Sequence, residues 1–406
     1  MTTLYSLDKK GKIRVFKGEV GKVTNTLSVV TTWTGLIDGQ LTEKQLNITK
    51  GKQKRSIHEQ AEFEFASLLN EKYNEGYKSE EHLLAKLGEP FTNAGKHFIE
   101  DIYKAIGITY NTNKDWLPLC MLADKWKDKK SKVKYPVLVQ PKLNGVRCIA
   151  LYKDGKVLLL SRGGGYYIMP HIQSALLPFF ISNPNIQLDG ELYNHGMPLQ
   201  KIVGICTLED EAQFSRKLPI QYWIYDLAIE KVKQEERFKI LSNFTNLCNI
   251  NPIKVLVTIP TLSEKDVESL HNTCVEQGYE GAIVRDPNAY YQFGFRDSCL
   301  LKVKEFQDEE FEIVGCEIDP NKGIESFVFI LKNNLISDVE GINLRFKARP
   351  TGTLEEKDIW RQNIDKYIGK KATIRFQERT EDGLPHQAHV RHKDSPLLIE
   401  AIRDYE

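Results

Sequence analysis

The chain has no run of 18 apolar residues and no apolar stretch in its opening MTTLYSLDKKGK, so neither a membrane span nor a signal peptide is expected. Cys-x-x-Cys pairs are absent too. The seven cysteines, at 120, 148, 206, 248, 274, 299 and 316, are odd in number and scattered. That pattern argues against a disulfide framework or a zinc module and fits a soluble protein in a reducing cytosol. Charge of one sign is also missing. The net charge is +1, so any affinity for nucleic acid has to come from local patches. Internal repeats and low-complexity tracts are not seen. What remains is ordinary for a globular protein: 41% hydrophobic and 27% charged residues over 406 positions, enough for two or three domains.

Residues 1–60 alternate as short strands, with Gly35 and Gly39 as turn points. Ser56 and Glu59 read as a capping box opening a helix whose Ala61, Phe65, Leu68 and Leu69 share one face. This stretch holds eleven Lys and Arg against five Asp and Glu. Six lysines then crowd residues 125–134 around Trp126. Such a run reads as a solvated basic linker that is able to touch a nucleic-acid backbone. From Pro136 to about Glu305 strands dominate with helices between them. Beyond that, FEIVGCEI, SFVFIL, INLRFKA and KKATIRFQERT are short strands at turn-separated spacing, which suggests a small barrel.

Five short segments carry the chemistry. They are KLNGVR from Lys142, SRGG at residues 161–164, LDGELY at 188–193, EGAIVR at 280–285 and LLKVKEF at 301–306. Each is a β-like run with charged residues suited to phosphate, ribose or metal. Lys302 and Lys304 are two apart, so both point to one face of a strand. Two cations on one face call for an anion, and a triphosphate supplies one. Gln140 lies on the side of its strand that carries Lys142.

In this order the segments resemble the covalent nucleotidyltransferases, and most closely the ATP-dependent DNA ligases, from about Leu117 to Asp394. The resemblance implies Lys142 as the nucleophile that takes AMP from ATP. Its amine must be neutral to attack, and only roughly 1 in 2,500 unperturbed lysines is neutral at pH 7. Burial and neighbouring cations, here Lys302 and Lys304, favour the neutral form. By the same resemblance Gln140, Arg147, Arg162, Glu191, Tyr225, Lys302, Lys304 and Arg391 hold the nucleotide. Gln140 would accept from the adenine amino group and Tyr225 would stack on the base. Glu191 and Glu280 would hold Mg²⁺. Several positions depart from the family pattern: Gln140 for the common glutamate, Asn144 for the aspartate of KxDG, Asp297 inserted before Ser298, and Asp and Lys exchanged at Lys393-Asp394.

The order Trp33, Gly35, Gly51-Lys52 and Gln60-Ala61 is similar to a WGR-type module, a class that recognises DNA breaks. It implies DNA contacts by Trp33, Lys50, Lys52, Lys54 and Arg55. The expected architecture is therefore a small β-plus-helix WGR-like domain (1–110) and a basic linker (111–135). An α/β (α+β) nucleotidyltransferase domain (136–305) and an all-β OB-fold barrel (306–406) follow. The expected protein is a monomer that uses ATP and Mg²⁺ on nicked double-stranded DNA and avoids membranes. An RNA ligase or a capping guanylyltransferase shares the lysine chemistry, and a non-catalytic break-binding protein is the rival from another class. NAD-dependent ligases are disfavoured by the lack of a four-cysteine zinc module.

Overall fold

The computed structural model describes residues 1–88, 97–244, 247, 251–304, 307–320, 323–333, 345–350, 352–376, 379, 384–385, 389–390 and 402–403. The chain divides into two compact units. One joins Met1–Gly18, Trp33–Glu43 and Ala66–Lys304; the other joins Glu19–Thr32, Lys44–Phe65 and Glu305–Glu406. Among the described residues, no helix is long and apolar enough to cross a membrane.

Four strands open the chain: β1 (Thr2–Leu7), β2 (Ile13–Thr24), β3 (Leu27–Leu36) and β4 (Thr42–Ile48), hydrogen-bonded in that order. The turn from β1 to β2 is held by Asp8, whose carboxylate accepts from the amides of Lys10 (2.7 Å) and Lys12 (2.9 Å). The capping box is present: Ser56 Oγ accepts from the Glu59 amide and the Glu59 carboxylate from the Ser56 amide. The helix it opens, Ile57–Asn74, buries Ala61 fully but Phe65, Leu68 and Leu69 only in part.

The following strands are β5 (Leu122–Lys125), β6 (Val137–Lys142), β7 (Val146–Lys153), β8 (Lys156–Ser161), β9 (Tyr166–Tyr167), β10 (Leu188–Tyr193) and β11 (Gln221–Leu227). After them come β12 (Ile253–Val255), β13 (Ile259–Thr261), β14 (Gly281–Arg285) and β15 (Arg296–Lys304). They build two sheets, ordered β13-β6-β14-β15-β5 and β12-β11-β10-β7-β8-β9. The first sheet alternates strictly. Val137, Val139, Ala282, Val284, Leu301 and Val303 enter a core with Val267 of the helix Glu264–Glu276. The opposite face carries Gln140, Lys142, Ile283, Arg285, Lys302 and Lys304. In the second sheet, Leu159, Leu188, Leu192, Tyr222 and Ile224 pack with the helix Pro170–Ser182 through Ile172, Leu176 and Phe180.

Residues 111–135, read from the sequence as a basic linker, are structured. β5 pairs in parallel with β15, and Trp126 is 7% exposed within the core of the first sheet. Lys125, Lys127, Lys130, Lys132 and Lys134 are exposed beside these anchors, which is why a charge count mistakes the segment for a tether.

In the second unit β16 (Gln307–Glu317), β17 (Val328–Lys332), β18 (Arg345–Pro350), β19 (Lys371–Phe376), β20 (His389–Val390) and β21 (Ile402–Arg403) form one sheet. The pairing of β16 with both β17 and β19 curls it round a core of Phe311, Phe329, Phe346, Ile374 and Phe376. The helix Leu354–Gln362, absent from the all-β expectation, closes this core with Trp360.

Truncating Trp126 tests whether the lysine-rich segment is core. Trp126→Ala should cost about 3–5 kcal/mol, measured by urea unfolding followed by far-UV circular dichroism. A loss under about 1 kcal/mol would return the segment to the role of a linker.

Candidate active site

β14 lies between β6 and β15, and its register sets the site. Gly281 stands opposite Lys142 on one side and Lys304 on the other. Two residues on, Ile283 stands between Gln140 and Lys302. Because strand side chains alternate, all these polar groups rise from one face. Gly281 has φ +147°, and a Cβ there would lie 2.3 Å from the Val303 carbonyl oxygen. A glycine is therefore required where the chain enters β14.

That close approach delivers Glu280 between the two lysines. Its Oε2 accepts from Lys142 Nζ and its Oε1 from Lys304 Nζ. Lys142 Nζ also donates to the Leu143 carbonyl at 3.3 Å. Burial pushes the Glu280 carboxyl upward, but the charges of Lys142 and Lys304 outweigh it and hold the group below the usual glutamate range. Among the described residues, no carboxylate is in contact with Lys302. Burial, then the charges of Lys304, Arg296 and Lys142, draw it down from 10.5 to about 8.

The second sheet supplies the facing groups. Arg147 on β7 stands opposite Glu191 on β10. The Arg147 guanidinium grips the fully buried Asp189 through Nε at 2.8 Å and through Nη2, and Tyr291 donates to the same carboxylate at 2.6 Å. Arg147 also sits 5.2 Å from the centre of the Tyr225 ring. Glu191 accepts from the Gly145 amide at 2.9 Å. Its carboxyl is raised, because burial exceeds the opposing pull of Lys142, that amide and Arg147.

Behind the site lies a buried charged network. Asp226 is clamped by Arg237 Nε and Arg285 Nη1, both at 2.8 Å, and the two arginines hold its carboxyl below the aspartate range against burial. Arg285 Nε donates to Gln140 Oε1 at 2.8 Å. The Gln140 amide nitrogen donates to the Tyr225 carbonyl (3.0 Å) and to Thr258 Oγ1 (2.9 Å). Gln140 thus ties β6, β11 and β14 together, a connection its strand position does not reveal.

The cavity among these groups measures about 410 Å³ and is lined by Gln140, Lys142, Arg147, Arg162, Glu191, Tyr225, Lys302 and Lys304. The structure therefore brings eight of the expected site residues to one cavity, with Glu280 joined to Lys142 and Lys304 at its edge. Arg162 projects from an exposed turn closed by Ser161 N–H donating to the Gly165 carbonyl at 2.7 Å. Arg391 falls outside the described residues, as do Lys393 and Asp394.

Three lining or supporting residues carried no assigned role in the sequence reading: Asp189, Arg285 and Arg296. Arg285 had a legible signal, since it follows Gly281 and Ile283 at period two. Asp189 had none, because its pairing with Arg147 crosses two strands.

Of the expected DNA contacts, Trp33 lies on β3 and donates to Glu43 at 2.9 Å. In the other unit, Lys52 pairs with Asp319 at 2.6 Å, and Arg55 lies 3.9 Å from the Phe63 ring centre and donates to Gln60 at 3.2 Å. Lys54 is exposed with φ +66° in the loop that also holds Lys50.

The Lys302 ammonium has a testable proton linkage. With a folded pKa near 8 against an ordinary 10.5, folded protein releases its proton earlier than unfolded chain as pH rises. The site is thus disfavoured below about 8, and stability recovers toward 10.5. A polyanion in the cavity should restore the charge. ATP binding at pH 8.5 should therefore take up protons, seen by titration calorimetry as heats that differ between Tris and phosphate buffers. Equal heats after correction for dilution would refute the linkage.

Residues 120–304 match the family model of the ATP dependent DNA ligase domain. Among curated proteins, a DNA ligase of African swine fever virus (isolate Warthog/Namibia/Wart80/1980) is 27% identical over 280 residues, 62% of each chain. A probable DNA ligase of Dictyoglomus thermophilum is 22% identical over 198 residues, 44% of this chain and 33% of that protein. The chain thus spans less than two thirds of the length of these relatives. A solved Lig E DNA ligase structure superposes with a TM-score of 0.56 at 19% identity, over 68% of this chain and 99% of that one. At that identity the likeness is one of fold. The matched stretch holds Lys142, Glu191, Glu280, Lys302 and Lys304, and it resembles the nucleotidyltransferase domain of the ATP-dependent DNA ligases.

Proposed function

We propose that this chain is an ATP-dependent DNA ligase that seals nicks in duplex DNA through a lysyl-AMP intermediate. The observation that carries the reading is the row Lys142–Glu280–Lys304, set across three strands and opening on a cavity with Arg147 and Tyr225. In step one, Lys142 Nζ attacks the α-phosphorus of ATP. The Lys142 ammonium first releases one proton to solvent; the neutral amine then forms the P–N bond as the bond to the pyrophosphate oxygen breaks, and the nitrogen loses its second proton to solvent. Glu280 holds Nζ beside the cavity until the nucleotide arrives. Conversion of the ammonium to a phosphoramidate removes its charge and frees Glu280 Oε2. The 5′-phosphate of the nick then takes AMP from Lys142, and the 3′-hydroxyl displaces it. Lys302, Lys304 and Arg162 would bind the phosphates, where fixed cations offset charge that grows in the transition state. Tyr225 would stack on adenine, and Gln140 and Glu191 would meet the base and ribose.

Glu280 and Glu191, both facing Lys142, suit a hard cation such as Mg²⁺, which prefers carboxylate and phosphate oxygens. When bound, it would neutralise phosphate charge. The N-terminal region is read as a WGR-like break-binding domain, with Trp33, Lys50, Lys52, Lys54 and Arg55 toward DNA. The C-terminal barrel is read as an OB-fold that grips the duplex, with Arg391 orienting the leaving pyrophosphate.

Incubation with labelled ATP should leave AMP on the wild-type protein and none on Lys142→Ala. That variant should still seal a pre-adenylylated nick, because the substrate bypasses step one. Label persisting on Lys142→Ala would falsify the assignment. Retention of label from GTP instead would favour a guanylyltransferase, and sealing only when RNA flanks the nick would favour an RNA ligase.

A further inference from the structure

Residues 108–123 run between the β1–β2 hairpin and the mouth of the nucleotide cavity. On the hairpin side, the Asn111 side chain, 6% exposed, closes both backbone groups of Leu7: it accepts from the Leu7 amide at 3.0 Å and donates to its carbonyl at 2.9 Å. The ammonium of the buried Lys78 donates to the Thr112 carbonyl at 2.6 Å and to the Gly76 carbonyl at 3.1 Å. Ile108 and Trp116 pack into the core formed by Leu7, Ile13, Leu83 and Ile102.

The same stretch supports the cavity mouth. Asn113 donates to the Gly164 carbonyl at 3.3 Å, and a Cβ on Gly164 would come within 2.9 Å of the Asn113 Cβ. The turn that carries Arg162 is therefore seated on Asn113. Tyr110 stacks on Phe293 with ring centres 4.1 Å apart. Gly294 then turns at φ +75° against Leu119 and Asn111, and Arg296 begins β15 two residues later. Lys9, in the hairpin turn, donates to the Arg296 carbonyl and pairs with Asp297 at 3.1 Å. Arg162 and Arg296 both line the cavity.

We propose that the N-terminal hairpin is a positioning element for the nucleotide site, holding Arg162 and Arg296 at the cavity mouth through Asn111, Asn113 and the Lys9–Asp297 pair. Asp297, the residue inserted relative to the family pattern, is the dock for Lys9. The inference rests on the nucleotide-binding reading above and adds to it. The N-terminal region then acts in the first step, before any DNA is met. The buried Asn111 clamp dominates, since a half-exposed ion pair adjusts position only slightly.

The test uses the full chain and two readouts, the ATP dissociation constant and the rate of lysyl-AMP formation at saturating ATP. Asn111→Ala should weaken ATP binding by about tenfold. Lys9→Ala and Asp297→Ala should each weaken it by roughly threefold, and the exchange Lys9→Asp with Asp297→Lys should recover most of the loss. Melting temperatures of the Lys9 and Asp297 variants should stay near wild type, so these variants decide the matter even if Asn111→Ala does not fold. Wild-type ATP affinity in both, or no recovery in the exchange, overturns the inference. A wild-type protein that binds ATP without forming lysyl-AMP would overturn the ligase reading and leave the affinity series to judge this one. Failure of the wild type to bind ATP would overturn both.

Discussion

The site depends on a carboxylate held between two ammonium groups. Glu280 reaches Lys142 and Lys304 because Gly281 lets β14 pass against the β15 backbone, with no side chain between them. Without the carboxylate, two lysines facing one cavity would repel each other and lose hydration together. With it, Lys302 is, among the described residues, the one of the three clustered ammonium groups with no carboxylate in contact, and burial followed by the charges of Lys304, Arg296 and Lys142 lowers its pKa. The arrangement lets three ammonium groups line one cavity with a single carboxylate between two of them.

The second sheet solves the opposite problem. Its buried charges are acidic, and each is saturated. Asp189 takes Arg147 and Tyr291, while Asp226 takes Arg237 and Arg285. A buried ion left without its partner is strongly destabilising, so such clusters persist only when complete. Arg285 and Gln140 then link this set to the first sheet. The wall behind Tyr225 is thus a polar network of buried ion pairs and hydrogen bonds.

Much of the cavity was legible because strands alternate. The pairs Gln140/Lys142 and Lys302/Lys304 share a face by spacing alone, and their strands do share one sheet with β14 between them. The lysine-rich segment was misread because charge count sees lysines and not the strand β5 or the buried Trp126 among them. Gln140 was expected to offer its amide oxygen to a base; that oxygen also accepts from Arg285, a partner 145 positions away that the sequence does not point to. The helix bearing Trp360 was lost among short strands because its 9 residues, about two and a half turns, carry too short an amphipathic pattern to stand out.

By itself, the sequence determined the order of the charged segments, the faces on which their side chains stand, and the residue types able to hold phosphate and a hard cation. These properties are local: they follow from strand period and side-chain chemistry. Only the tertiary structure decided which charges neutralise which, that Glu280 bridges two lysines and that Asp189 and Asp226 are sealed by arginines from other strands and a helix. It also decided that Met1–Gly18 belongs to the same compact unit as the cavity lined by Lys142. Those outcomes depend on register between distant strands and on how much water each charge retains. Neither quantity is written in any short stretch of chain.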